Sequence, residues 1–371
     1  MSPEPPRELP SPEALQSVFR VYEVQQDEEG VHYYGDPLVN QQQLLERVWP
    51  EFREAGYEVS LQRRLGEFVL VAQPRETGED GFPWTNVGLA LATILSTLYV
   101  GTQWYYVQDP LSLELLDAVP FTLAVMGVLG THELGHYVMS RYHEVPASLP
   151  YFIPFPTVIG TMGAVIRIRG RIPDRRALFD IGVAGPLAGL VATVVVTAVG
   201  LWLPPVAVPD WIFAAGSTVE IQFNYPPLLK AIALLLGEPL SYADPRLVVN
   251  PVVIGGWVGM FITFLNLIPV GQLDGGHILR AIVGPDQERI APLVPIALFG
   301  LAAGLYLFTD AGQMVGVWIL WGFMAMLATY IGSAAPIAEG SLDSRRKALG
   351  VLTFVLGLLC FTPIPIEIVG L

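Results

Sequence analysis

Two periodicities divide this chain. Within the first seventy-odd residues, positions 17–25 and 31–34 alternate apolar and polar side chains, the period of a half-buried strand. Residues 40–55 instead set Leu44, Leu45, Val48, Trp49 and Phe52 at helical spacing. Two more strands are predicted at 57–63 and 67–72, joined by a turn at 64–66. The pattern is a small ββαββ unit of roughly 65 residues, close to the size at which one core barely suffices. Residues 1–12 read as a disordered tail and 74–83 as a polar linker, so the α/β unit with its linker is expected over 13–83.

Beyond that point the chain is written in long apolar runs. A membrane-crossing helix needs about 20 consecutive apolar residues. Seven runs approach that length: 82–107, 118–140, 181–203, 251–273, 290–308, 315–336 and 347–365. His132, Glu133 and His136 interrupt the second, and Pro363 and Pro365 close the last early. The predicted fold is a polytopic α-helical membrane protein over 84–371, with about 6–7 transmembrane helices by this count. The soluble α/β unit precedes it.

Composition sharpens this division. Of 371 residues 52% are hydrophobic and 15% charged, against about 25% charged in a soluble domain. A soluble enzyme this apolar could not cover its surface, and a disordered chain would be far more polar. With 34 acids against 20 bases, a nucleic-acid partner is not expected. Residues 1–83 hold 16 acids and 7 arginines, so most of the net charge of -14 belongs to the N-terminal unit. Its acidic, Pro-rich opening is the opposite of a signal peptide. The single Cys360 provides no disulfide framework. Eleven Lys and Arg fall in loops on one side of the runs and two, Lys230 and Arg246, on the other. Basic loops face the cytoplasm. The N-terminal unit is therefore expected in the cytoplasm, beside a protein integral to the inner or plasma membrane.

The interrupted run carries the chemistry. His132-Glu133-Leu134-Gly135-His136 is HExxH, and on a helix its histidines project from one face to share a metal. Glu133, next to them, can reach a water on that metal. Within lipid, three polar side chains without a partner are hard to satisfy, which strengthens the metal reading. A catalytic zinc keeps three protein ligands and one open position. His143 lies seven residues past His136 with Met139 between, which breaks the HExxHxxGxxH pattern. Glu339 and Asp343 form an ExxxD pair, and His277 lies in the loop that also holds Asp274. Loop charge sets Asp274 at the depth of His132 and favours it, with the Glu339/Asp343 pair and His277 left as alternatives.

HELGH in one run, with Asn266-Leu267-Ile268-Pro269 and then Leu273-Asp274-Gly275-Gly276 at the end of a later one, resembles the site-2 protease family of intramembrane zinc metalloproteases. The resemblance covers residues about 84–280 and is closest in organisation to the archaeal and plastid branch. It implies one Zn2+ per chain on His132, His136 and Asp274, with Glu133 as the catalytic carboxylate that activates a zinc-bound water. It implies a three-helix catalytic core within about 113–280 and an Asn266 that hydrogen bonds the substrate backbone. The substrate class would be membrane-anchored proteins, cut within or near their transmembrane segments in the lipid bilayer. The family's AGPxxN here reads Ala184-Gly185-Pro186-Leu187-Ala188-Gly189, so a role for that Asn does not transfer. Gly185 and Gly189 form a GxxxG, which reads as close helix packing.

A substrate helix must unwind to be cut, and its freed backbone then needs partners. Residues 148–169 are apolar but broken by Pro and Gly. They read as a re-entrant loop in which Gly160 and Gly163 turn into a strand through Ala164 and Ile166, whose edge pairs with the substrate. A cytoplasmic regulator is a possible partner for the acidic unit. The competing class is an ion or proton path through His132, Glu133 and Asp274, but the internal repeats usual in transporters are not visible.

Overall fold

A computed structural model describes residues 9–28, 30–64, 66–75, 81–214, 220–309 and 312–369. Most of the tail expected at 1–12, and residues 76–80 of the expected linker, lie outside these. A single turn, α1 (Pro12–Leu15), leads into strands β1 (Phe19–Gln26) and β2 (Val31–Pro37), helix α2 (Gln41–Glu54), and strands β3 (Tyr57–Arg64) and β4 (Glu67–Pro74). The strands form one antiparallel sheet in the order β1-β2-β4-β3. Helix α2 starts where the Asn40 side chain accepts the Gln43 N–H at 2.9 Å, satisfying one of the helix's unpaired first-turn donors. Its Leu44, Leu45, Val48, Trp49 and Phe52 bury against Tyr33, Val59 and Leu70 of the sheet. Ile337, from the far end of the chain, completes this core. The Gln42 amide anchors it by donating to the Ile337 carbonyl at 2.7 Å.

The apolar part begins with α3 (Trp84–Trp104) and α4 (Val119–Tyr142). A hairpin of β5 (Tyr151–Pro154) and β6 (Thr161–Val165) follows, then α5 (Arg175–Trp202), strand β7 (Glu220–Phe223) and α6 (Pro227–Leu236). Next come α7 (Val252–Asn266), α8 (Asp274–Val283), α9 (Leu293–Phe308), α10 (Gly312–Ile331), α11 (Ser344–Leu359) and β8 (Ile366–Val369), which pairs antiparallel with β7. Helices α4, α5 and α7 pack through small residues. A Cβ at Gly135 would lie 2.6 Å from the Ala184 carbonyl oxygen of α5. Gly256 and Gly259 of α7 press against the hydroxyl oxygens of Thr197 and Thr193 of α5, where any Cβ would collide. Close backbone approach of this kind replaces the missing hydrophobic drive between helices in lipid.

The count of six or seven spans is overturned. Among the described residues, three helical segments are long and apolar enough to cross a membrane: Trp84–Trp104, Leu113–Tyr142 and Arg175–Trp202. A fourth is possible only if Asp274–Ile290 and Leu293–Phe308, bent by 66° at their break, act as one span. The reason is that counting uncharged residues ignores what they do to the backbone. The run 251–273 yields a 15-residue helix, about 22 Å long, because the chain turns over Leu267–Leu273 around Pro269. The run 347–365 yields a 16-residue helix whose first turn holds Arg345, Arg346 and Lys347.

Candidate metal centre

Helix α4 buries His132 and His136 on its inner face, at 2% and 6% exposure, with Glu133 at 6% between them. Their shared orientation follows from the i, i+4 spacing. Asp274 comes from the first turn of α8, where an acid suits the helix's partial positive charge. The chain reaches that point through the tight 267–273 turn. A Cβ at Gly275 would collide with the Leu267 carbonyl, and one at Gly276 would lie within 2.7 Å of the Val270 backbone. Both glycines of the LDGG sequence are thus demanded by the backbone folding back on the helix start.

Three donor atoms converge. His132 Nε2 lies 3.1 Å from Asp274 Oδ2, His136 Nε2 lies 3.2 Å from the same oxygen, and the two imidazole nitrogens are 3.3 Å apart. An ion bonded to three such donors at about 2.0–2.1 Å and tetrahedral angles would space them about 3.3 Å apart. The cluster therefore fits a zinc-sized cation with one position open. Among the described residues it is the one His/Cys/Asp/Glu group of this kind. His136 Nδ1 donates to the Ile181 carbonyl of α5 at 2.8 Å. That bond leaves Nε2 as the free lone pair toward the cluster.

Helix α5 supplies the space for both rings. A Cβ at Gly185 would fall within 3.0 Å of the His136 atoms Nε2, Cδ2 and Cε1, and one at Gly189 would lie 2.8 Å from His132 Nδ1. The GxxxG read from the sequence as a general packing motif is thus the seat of the two imidazoles. Residue 189, where the family's Asn is absent, faces His132.

Asn266, the last residue of α7, reaches the same centre, its Nδ2 3.2 Å from His132 Nε2. The four hairpin positions divide. Gly160, with φ +86°, is pressed against the backbone of α3, where a Cβ would lie 2.8 Å from Thr97 Cα. Gly163, with φ +115°, sits inside β6 and pairs with Ile153. Ala164 pairs with Phe152 across the hairpin. Ile166 follows the strand, with its backbone near the Glu133 carboxylate. Asn86 and Trp104 of α3 hold the hairpin by donating to the carbonyls of Leu149 and Val158 at 2.8 and 2.9 Å.

The alternative ligands have other partners. Glu339 pairs with Arg280 of α8. Asp343 caps α11 by accepting the Arg346 N–H at 3.0 Å. The Arg346 side chain and backbone N–H hold its carboxyl down at about 2, so this cap stays charged throughout the neutral range. His143 lies 3.0 Å from Asp180, and His277 lies 3.4 Å from Gln272. Two arginines of the N-terminal unit also reach this end of the molecule. Arg53 donates to the Glu144 carbonyl at 3.0 Å, and Arg75 donates to the same oxygen. They place positive charge just past the C-terminal end of α4.

The buried cluster of two histidines and one carboxylate, with a further acid beside it and apolar helices around it, is a candidate metal site consistent with a membrane metallopeptidase. The profile of Peptidase family M50 matches residues 120–303, which include all three donors. Probable zinc metalloprotease EGY2, chloroplastic, of Arabidopsis thaliana is 34% identical over 296 residues, 77% of this chain and 50% of that protein. Probable zinc metalloprotease EGY1, chloroplastic, of the same plant is 30% identical over 298 residues, 76% and 51% of the two chains. This chain belongs to peptidase family M50, the site-2 proteases, and is related to their plastid members. It spans about half the length of the curated relatives it matches. Among solved structures, the Site-2 Protease from Methanocaldococcus jannaschii is 18% identical, with a TM-score of 0.32 over 68% of this chain and 93% of that one. A likeness that loose adds nothing to the fold.

Proposed function

We propose that this chain is an intramembrane zinc metalloendopeptidase that hydrolyses peptide bonds within or near the transmembrane segments of membrane-anchored proteins. The observation that carries the reading is the 3.1–3.3 Å triangle of His132, His136 and Asp274 with the Glu133 carboxylate beside it. His132 Nε2, His136 Nε2 and Asp274 Oδ2 would hold one Zn2+. When bound, that ion would supply a Lewis acid for the peptide carbonyl and would lower the pKa of water toward about 7. Glu133 takes the proton of the attacking water and passes it to the leaving nitrogen. Burial of Glu133 keeps bulk water out of that transfer. Asn266, within reach of the centre, donates to the substrate backbone.

The hairpin supports a β-type substrate pose. Its strand β6 ends one residue before Ile166, whose backbone lies near the Glu133 carboxylate. A substrate strand added to the hairpin edge would have its backbone satisfied where the bond is cut. The N-terminal unit with its linker, 13–83, acts as a soluble cytoplasmic domain at the mouth of the site. Its Arg53 and Arg75 contacts at the end of α4, on the side of the basic loops, support that orientation.

The direct test is zinc content and cleavage of a membrane-anchored reporter by the purified protein. One zinc per chain and cleavage are expected; a protein that takes up no zinc would end the reading. Asp274→Ala is expected to weaken zinc binding by more than the about 10–100-fold typical of losing an outer hydrogen-bond partner. Competition with a chelator measures this. Ala164→Pro is expected to lower turnover severalfold without releasing zinc, because proline removes a strand N–H. Unchanged turnover in a folded Ala164→Pro protein would remove the edge-strand pose.

A further inference from the structure

Asp180 sits in α5 one residue before Ile181, whose carbonyl holds the His136 ring. Its carboxylate is gripped from two other helices. Arg346, in the first turn of α11, donates to both oxygens, Nε to Oδ1 at 2.7 Å and Nη2 to Oδ2 at 2.8 Å. His143, the residue that ends α4, lies 3.0 Å from Oδ2. The third Arg346 nitrogen, Nη1, donates to Asp343 at 2.7 Å, so the guanidinium is fixed from both sides. A planar fork held in this way sets the orientation of its partner as well as its charge.

We propose that Asp180, clamped by Arg346 and His143, is a positioning residue for the metal site. It fixes the rotation and height of α5 so that the Ile181 carbonyl and the bare face of Gly185 meet His136. The inference rests on the zinc reading above. Three observations carry it together. The clamp joins the end of the metal helix α4, the helix α5 that seats its histidines, and α11. The clamped residue is adjacent to the carbonyl that orients a metal ligand. The tolerance is small, because a Cβ at Gly185 would already overlap the His136 ring, so a modest turn of α5 changes that contact. Arg346 lies beyond the stretch matched by the family profile, 120–303. The last helix thus takes part in the metal site without touching it.

The test measures zinc affinity by chelator competition and the visible spectrum of the Co2+-loaded protein. It compares the full-length wild type with Arg346→Gln, Asp180→Asn and Asp343→Ala. Arg346→Gln and Asp180→Asn are expected to lower zinc affinity about 10–100-fold, as loss of an outer partner does, and to shift the cobalt bands. Asp343→Ala removes the cap of α11 and one of the two anchors of the guanidinium but leaves the fork on Asp180, so it is expected to lower affinity less than Arg346→Gln does. Wild-type affinity and spectrum in Arg346→Gln would overturn the proposal. So would a loss in Asp343→Ala equal to that in Arg346→Gln, since α11 stability alone would then account for it. Should Asp180→Asn fail to fold, Arg346→Gln, at the half-buried rim, carries the test. A wild type that binds no zinc refutes the metal reading instead and is recognised by that control.

Discussion

Replacing Glu133 with glutamine is expected to remove peptide hydrolysis while leaving zinc at one per chain. The two effects separate because Glu133 is outside the donor triangle formed by His132, His136 and Asp274. Glutamine has nearly the same shape, so the packing around this buried side chain is retained. It cannot take a proton from water at neutral pH. General acid-base groups contribute about 10²–10⁴-fold to rate, so turnover of a membrane-anchored reporter is expected to fall by at least that range. Metal analysis on the same preparation shows that the centre is intact. The variant also serves as a trap: proteins enriched with it in the membrane fraction, compared with wild type, are candidate substrates. A Glu133→Gln protein with full turnover would exclude the carboxylate from the chemistry.

Gly185→Ala is expected to empty the metal centre with little loss of fold. The new methyl would fall within 3.0 Å of three His136 ring atoms, Nε2 among them. The ring is tied on its other side to the Ile181 carbonyl, so it must leave either that bond or the donor triangle. Overpacking of this kind costs typically about 1–3 kcal/mol of stability, a modest drop in a thermal melt. Zinc affinity is expected to fall much further, because one donor is displaced outright. Gly189→Ala, 2.8 Å from His132 Nδ1 rather than on the coordinating atom, is expected to be the milder of the two. A Gly185→Ala protein that keeps wild-type zinc affinity would show that α5 yields more readily than its packing suggests.

Different parts of this molecule were legible to different degrees. The four strands and one helix of the N-terminal unit lie where alternation and helical spacing place them, within a few residues. Local periodicity suffices there because each element is short and has one buried face. The convergence of His132, His136 and Asp274 was also readable, since the i, i+4 spacing fixes two donors and depth narrows the third. The spans were misjudged because Pro269 and the glycines around it break an uncharged run without adding charge to it. In the sequence, Glu339 and Asp343 remained alternatives to Asp274, and His143 failed on its spacing. Only tertiary contacts assign them to Arg280, Arg346 and Asp180. The Ile181 carbonyl that orients His136 had no signal at all, because every residue has a carbonyl.

Ile337 gives the chain an order of assembly. The sheet and helix of the N-terminal unit are complete by Pro74, yet a residue 263 positions later fills their core. At about 5–20 residues per second, the ribosome needs roughly 13–50 s to make the intervening chain. Throughout that time the unit remains one side chain short, while α3 to α10 are being delivered to the membrane. Its last core contact is therefore made after the metal helices exist. A unit synthesised ahead of the membrane helices thus closes after them.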